Sequence, residues 1–248
     1  MLLSKENKQL LEQQAAELNQ KYHDLVYKQQ DDKDLISGLL PFCASYNNTT
    51  IEDEYEIEII IPDNYPNTPP TANEIKGKIP KEFHRNKDYD NTLCLGARLA
   101  VAKKFKENPC LLHFVEQQIV PYLFSYSYYK KYDEMPFGEL KHGGEGILNH
   151  YQEVFDICDD LSVLGLLKIL ADNNYRGHQN CPCGKGKRVR NCHGNTLRNI
   201  MKYQSPDDFL YDYEQVCECI LKRNKEIPEL LISANLLKKV KREYKKQK

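Results

Sequence analysis

Leu11, Ala15, Leu18, Tyr22 and Leu25 recur at alternating intervals of four and three. That is the spacing of one helix face, so the first thirty residues predict an amphipathic helix, ended by the polar run 29–33. Over residues 35–62 the period shortens to two: Tyr55, Ile57, Ile59 and Ile61 alternate with Glu54, Glu56 and Glu58, as in a strand with one buried and one wet face. Pro62, Asp63, Asn64 and Pro66 stop that strand. Pro69-Pro70 lacks the amide hydrogens that a helix or a central strand needs, which predicts a rigid extended turn. Residues 71–99 show little periodicity and carry His84, Asn86 and Cys94, the makeup of a reactive loop on a scaffold. After Pro109, Leu111, Leu112, Val115, Ile119 and Leu123 fit a helix, with a kink expected at Pro121. A glycine-rich connector over 138–146 leads to helices over 147–155 and 161–170, a compact Gly/Cys loop over 175–194, and helix from residue 196 onward. The basic run 236–248 reads as a solvated helix end or a frayed tail.

A chain of 248 residues suits one large domain and a smaller appendage. With 40% hydrophobic and 29% charged residues it is apolar enough to fold. A net charge of −1 gives the chain as a whole no electrostatic pull toward nucleic acid or an anionic membrane. The first twenty residues lack the apolar run of a signal peptide, and no stretch approaches the ~20 apolar residues of a membrane span, so a cytoplasmic location is expected. In that compartment nine cysteines point to metal binding or catalysis rather than disulfides. Cys43, Cys110 and Cys158 read as buried structural thiols, and Cys217 and Cys219, in a helical pattern, as structural too.

Cys181-Pro-Cys183-Gly-Lys-Gly-Lys-Arg-Val-Arg-Asn-Cys192-His193 offers three thiols and an imidazole, the ligand set of a closed structural Zn2+ site. Gly184 and Gly186 let the backbone fold back so that two ligand pairs converge. Four protein donors leave no open position for metal catalysis. The segment resembles the SEC-C motif of the bacterial secretion ATPase, in which the knuckle mostly docks proteins. Lys185, Lys187, Arg188 and Arg190 read as a solvated face, with protein favoured over nucleic acid as a partner.

Upstream, an N-terminal helix, strands, the turn Tyr65-Pro66-Asn67-Thr68-Pro69-Pro70, the His84-Arg85-Asn86 element and Leu93-Cys94-Leu95 follow in order. This series resembles the ubiquitin-conjugating enzyme family, over roughly residues 4–132. The resemblance implies an α+β, UBC-like fold: an N-terminal helix, an antiparallel meander sheet and C-terminal helices. Appended to it would be a helical region holding the zinc knuckle at about 177–194. The expected domains are 1–158 and 159–248. It further implies that Cys94 accepts an acyl group as a thioester, that Asn86 orients the loop or stabilises an oxyanion, and that His84 supports the loop. Three features depart from the family: Arg85 replaces a proline, Gly96 stands where an aspartate usually follows the cysteine, and the stretch between Pro70 and His84 is longer. Arg85 and Lys87 could steer an acidic partner and Asp88 or Asp90 could orient an amine, although loop polarity is the plainer reading.

The joined zinc knuckle is similar to bacterial relatives encoded in anti-phage signalling (CBASS-type) operons. That resemblance implies a protein cargo attached through its C-terminus, a cyclic-oligonucleotide synthase, and a separate activating enzyme unless the acyl substrate arrives pre-formed. Two alternatives stay open: an inactive UBC-like binding module with a zinc docking knuckle, and a Cys94/His84 cysteine protease.

Overall fold

The computed structural model describes residues 3–86, 91–137 and 143–246. It is an α+β protein that divides into two compact units, Met1–Glu139 and Leu140–Lys248. That division precedes the 158/159 boundary expected from the sequence, because the helix between the two positions packs within the second unit.

Helix α1, Lys5–Lys21, starts on Ser4, whose side chain accepts from the Asn7 amide. It buries Leu11, Ala15 and Leu18. It is shorter than its apolar spacing suggested: β1, Val26–Gln30, already belongs to a sheet with β2, Lys33–Tyr46, and β3, Thr49–Ile61. Asp31-Asp32 and Asn47-Asn48 make the two hairpin turns, with φ of 47°, 61°, 45° and 63°. Asp and Asn tolerate this left-handed region better than other residues with a Cβ, so two-residue turns form without glycine. Pro41 sits where β2 pairs with β3 alone, the setting in which a strand tolerates a missing donor.

Along β3 the predicted alternation holds: Tyr55, Ile57, Ile59 and Ile61 are buried, and Glu54, Glu56 and Glu58 are exposed or half-exposed. After Pro69-Pro70 the short β4, Thr71–Glu74, joins as an edge strand and completes a four-stranded antiparallel meander, β1-β2-β3-β4. Tyr65, within the preceding turn, is fully buried and donates to the Gln14 side chain of α1. Gln14 also accepts from the Leu111 amide and donates to the Pro109 carbonyl, tying α1 to the chain beyond the sheet.

A second pair of strands follows, β5, Arg85–Asn86, and β6, Thr92–Leu93. Helix α2, Arg98–Glu107, comes next and was not expected, because its lysines obscure the buried Leu99, Ala102 and Phe105. Beyond Pro109 run α3, Leu111–Phe114, a π-helical turn at Val115–Ile119, and α4, Val120–Tyr132. The irregularity expected at Pro121 takes the form of that π turn, one turn upstream of the residue lacking an amide hydrogen. Leu111, Phe114, Val115, Ile119 and Leu123 close the core over the sheet.

The second unit is helical: α5, Gly143–Phe155; α6, Asp160–Ala171; α7, Gly194–Ile200; α8, Pro206–Lys222; and α9, Ala234–Lys246. Helix α8 packs on both α5 and α6. Of the expected glycine-rich connector, residues 138–142 lie outside the described residues and Gly143–Gly146 form the first turn of α5. There a Cβ on Gly144 would stand 2.1 Å from the Gln215 carbonyl oxygen of α8, so glycine serves close helix packing rather than flexibility. Cys217 and Cys219, read as structural, are buried; Cys110 is half-buried, and Cys43 and Cys158 are exposed, contrary to their reading as buried thiols. Cys43 lies on β3's partner strand opposite Glu52 on the wet side of the sheet, and Cys158 in the link between α5 and α6. Among the described residues no helix is long and apolar enough to cross a membrane.

Candidate active site and metal centre

Cys94 leaves the end of β6. The β5/β6 pairing sets Arg85 against Leu93 and Asn86 against Thr92, and the Cys94 amide donates to the His84 carbonyl at 2.9 Å. His84 (φ 41°) and Asn91 (φ 55°) are both left-handed, which turns the chain sharply at each side of the hairpin. The Asn86 side-chain nitrogen lies 3.2 Å from both Thr92 Oγ1 and the Leu93 carbonyl oxygen and donates to them. In this geometry the amide fastens the two strands that present Cys94. The link between His84 and Cys94 is made by their main chains, and the imidazole packs edge-on against Phe83 at 4.6 Å. Lys87, Asp88 and Asp90 lie outside the described residues.

From below, α4 supports this segment. The Tyr122 hydroxyl donates toward the Phe83 and His84 carbonyls, at 3.0 and 3.2 Å, and Tyr126 donates to the Lys78 carbonyl at 2.9 Å. Burial pushes the Tyr122 hydroxyl up, so it stays a neutral donor. Cys94 itself is half-buried. Burial raises its thiol above the ordinary value, only partly offset by a hydrogen bond from the Gly96 backbone. A sulfur in this state is mostly protonated at neutral pH and turns nucleophilic as pH rises.

In the second unit, the four predicted ligands meet. Cys181, Cys183, Cys192 and His193 bring their ligand atoms within 4.8 Å of one another. Cys181 Sγ is 3.2 Å from His193 Nδ1, Cys192 Sγ is 3.4 Å from the same nitrogen, and Cys183 Sγ is 3.4 Å from Cys192 Sγ. Tetrahedral zinc with Zn–S bonds of about 2.3 Å needs sulfurs about 3.8 Å apart, close to this spacing. Gly184 and Gly186, with φ of 74° and 68°, reverse the chain as the sequence predicted, and the Cys181 amide donates to the Lys187 carbonyl at 2.8 Å.

His193 supplies a further test of fit. Its Nε2 lies 3.0 Å from the Phe155 carbonyl oxygen, a bond in which the ring must donate. That places the hydrogen on Nε2 and leaves the Nδ1 lone pair facing the thiols, the tautomer a metal requires. Without a cation, burial pushes the Cys181 thiol up to about 12, so a charge on this sulfur would need a partner of opposite sign, such as a divalent ion. The donor set, spacing and tautomer therefore fit a structural zinc ion. Lys185, Lys187, Arg188 and Arg190 are exposed, and Arg188 is engaged with the His178 carbonyl and the Asn180 side chain.

No protein-family model, curated protein or solved structure matches the chain.

Proposed function

We propose that this protein is an acyl carrier of the ubiquitin-conjugating type. Cys94 attacks an activated C-terminal carbonyl of a protein cargo, its thiol proton leaves, and the activating group departs as the thioester forms. A lysine amine then attacks the thioester carbonyl, the Cys94 thiolate leaves, and an amide joins cargo to acceptor. The observation that carries this reading is the presentation of Cys94 at the end of a hairpin whose strands are fastened by Asn86, beside a four-stranded antiparallel meander with α1 at its start. Such a frame would hold one thiol in a constant position toward each substrate in turn. His84 contributes backbone geometry to it, and Asn86 acts first as a fastener of the loop.

In this reading the zinc knuckle, of SEC-C type, docks a protein partner, and the cargo is a cyclic-oligonucleotide synthase of an anti-phage system in the bacterial cytoplasm, activated by a separate enzyme. Co-expression of Cys94→Lys protein with the products of neighbouring genes tests this, since an amide at position 94 outlasts a labile thioester. An adduct at residue 94 whose mass equals one neighbour joined through its C-terminus is the expected result. Neighbours that co-purify without covalent linkage would favour a non-catalytic docking module, a reading supported by the raised protonation range of the half-buried thiol.

A further inference from the structure

Arg85 reads from the sequence as a polar loop residue, yet its side chain is only 6% exposed and lies 3.6 Å from the fully buried Glu74 carboxylate. Its Nη2 donates to the Ile79 carbonyl at 3.1 Å and its Nη1 to the Asn91 carbonyl at 3.2 Å. Glu74 accepts from the amides of Lys76 at 2.9 Å and Ile79 at 3.1 Å. Ile79 is thus held twice, by its N–H through Glu74 and by its C=O through Arg85. Asn91, the residue that leads into β6, is held by the other arm of the same guanidinium.

A buried ion pair is a poor way to gain stability, because desolvating both charges offsets much of their attraction, and packed apolar residues often do as well. The guanidinium's planar fork is suited instead to geometry, fixing two carbonyls from separate parts of the chain at once. One of those carbonyls, of Ile79, lies upstream of the hairpin that presents Cys94, and the other, of Asn91, lies within it just before β6. We infer that Arg85, braced by Glu74, is a positioning residue for Cys94: it locks the β5/β6 hairpin against the edge of the sheet so that the thiol keeps one orientation. Its catalytic consequence rests on the acyl-carrier reading above; its effect on the hairpin does not.

Three full-length variants test this. Arg85→Met removes the clamp. Arg85→Lys keeps the charge but cannot donate to both carbonyls. Glu74→Met/Arg85→Met removes the whole pair, so no stranded charge unfolds the chain. The measurements are amide hydrogen exchange at residues 92–94, iodoacetamide alkylation of Cys94 mapped by peptide mass against Cys43 and Cys158, and loading of Cys94 from a synthetic peptide thioester. Folded Arg85→Lys and the double variant are expected to exchange at 92–94 at least about tenfold faster than wild type. Cys94 should alkylate faster while the two reference cysteines keep their rates, and loading should fall by about tenfold or more. Wild-type exchange and alkylation at Cys94 in a folded variant, or a change shared equally by all three cysteines, would overturn the inference. If wild-type protein accepts no acyl group, the carrier reading fails, and the exchange and alkylation data still decide the role of Arg85.

Discussion

Loss of one candidate metal ligand tests the knuckle most sharply. In residues 175–194, apart from the ligands Cys181 and His193, only Val189 and Gly194 are buried. Burying one valine contributes about 1.5–3 kcal/mol. Zinc in peptide-sized sites contributes about 10–16 kcal/mol of folding free energy. The metal therefore outweighs the apolar contact several-fold in ordering this segment. Cys183→Ser removes a half-exposed ligand with little change of volume, so its effect comes from the metal rather than from packing. It should also release His193, whose hold on the Phe155 carbonyl joins the knuckle to α5, and unsettle α7, which begins at Gly194. A loss of even 3 kcal/mol in a unit of this size lowers Tm by about 12–24 °C. Elemental analysis and thermal melts with and without a strong chelator provide the assay. One zinc per wild-type chain is expected, with a chelator-induced fall in Tm that Cys183→Ser reproduces and that chelator does not deepen. Metal-free wild-type protein that melts at the same temperature with or without chelator would refute the reasoning.

Other perturbations address the first unit. Iodoacetamide alkylation of Cys94 at fixed reagent should rise about tenfold per pH unit between pH 7 and 9, since burial keeps the thiol protonated there; a rate already flat at pH 7 would contradict the raised pKa. Ile57→Ala, at a fully buried site in β3, should cost about 2–5 kcal/mol in urea unfolding, whereas Glu56→Ala next to it should stay within about 0.5 kcal/mol. For Asp53, burial disfavours the charge, but hydrogen bonds from Lys78, Ser127, the Glu54 amide and Tyr55 outweigh it and hold the carboxyl at about 2. A carboxyl lowered on folding stabilises the protein above its unfolded value near 3.8, and that contribution is lost as pH falls toward 2. Urea melts across pH 5 to 2 should therefore show wild type losing more stability than Asp53→Asn, and parallel losses would count against the network.

The four candidate metal ligands were legible because sulfur and imidazole donors bracketing two glycines have few other uses, and all four lie together in space. Strand β3 was legible because isoleucine and glutamate alternate with a period that only a one-sided sheet needs. What escaped the sequence depended on partners distant along the chain. Val26–Gln30 looked like a helix end and became a strand because β2 lies alongside it, joined by an Asp-Asp turn with no glycine to signal it. Helix α2 hid behind its lysines, and Gly143–Gly146 looked flexible because the close approach of Gln215 cannot be seen without α8. Arg85 read as loop polarity for the same reason: its meaning comes from Glu74 and the carbonyls of Ile79 and Asn91. Cys94 was located by motif order, and its hairpin by the pairing of only two residues on each strand, too short for any periodicity.

The most direct test of the acyl-carrier reading is intact-mass measurement of the full chain after incubation with a synthetic peptide bearing a C-terminal thioester. One peptide is expected to add at Cys94, to be released by hydroxylamine, to pass on to an added amine, and to be absent in Cys94→Ala. An unmodified chain under conditions where a free cysteine peptide exchanges readily, or modification that persists in Cys94→Ala, would contradict it.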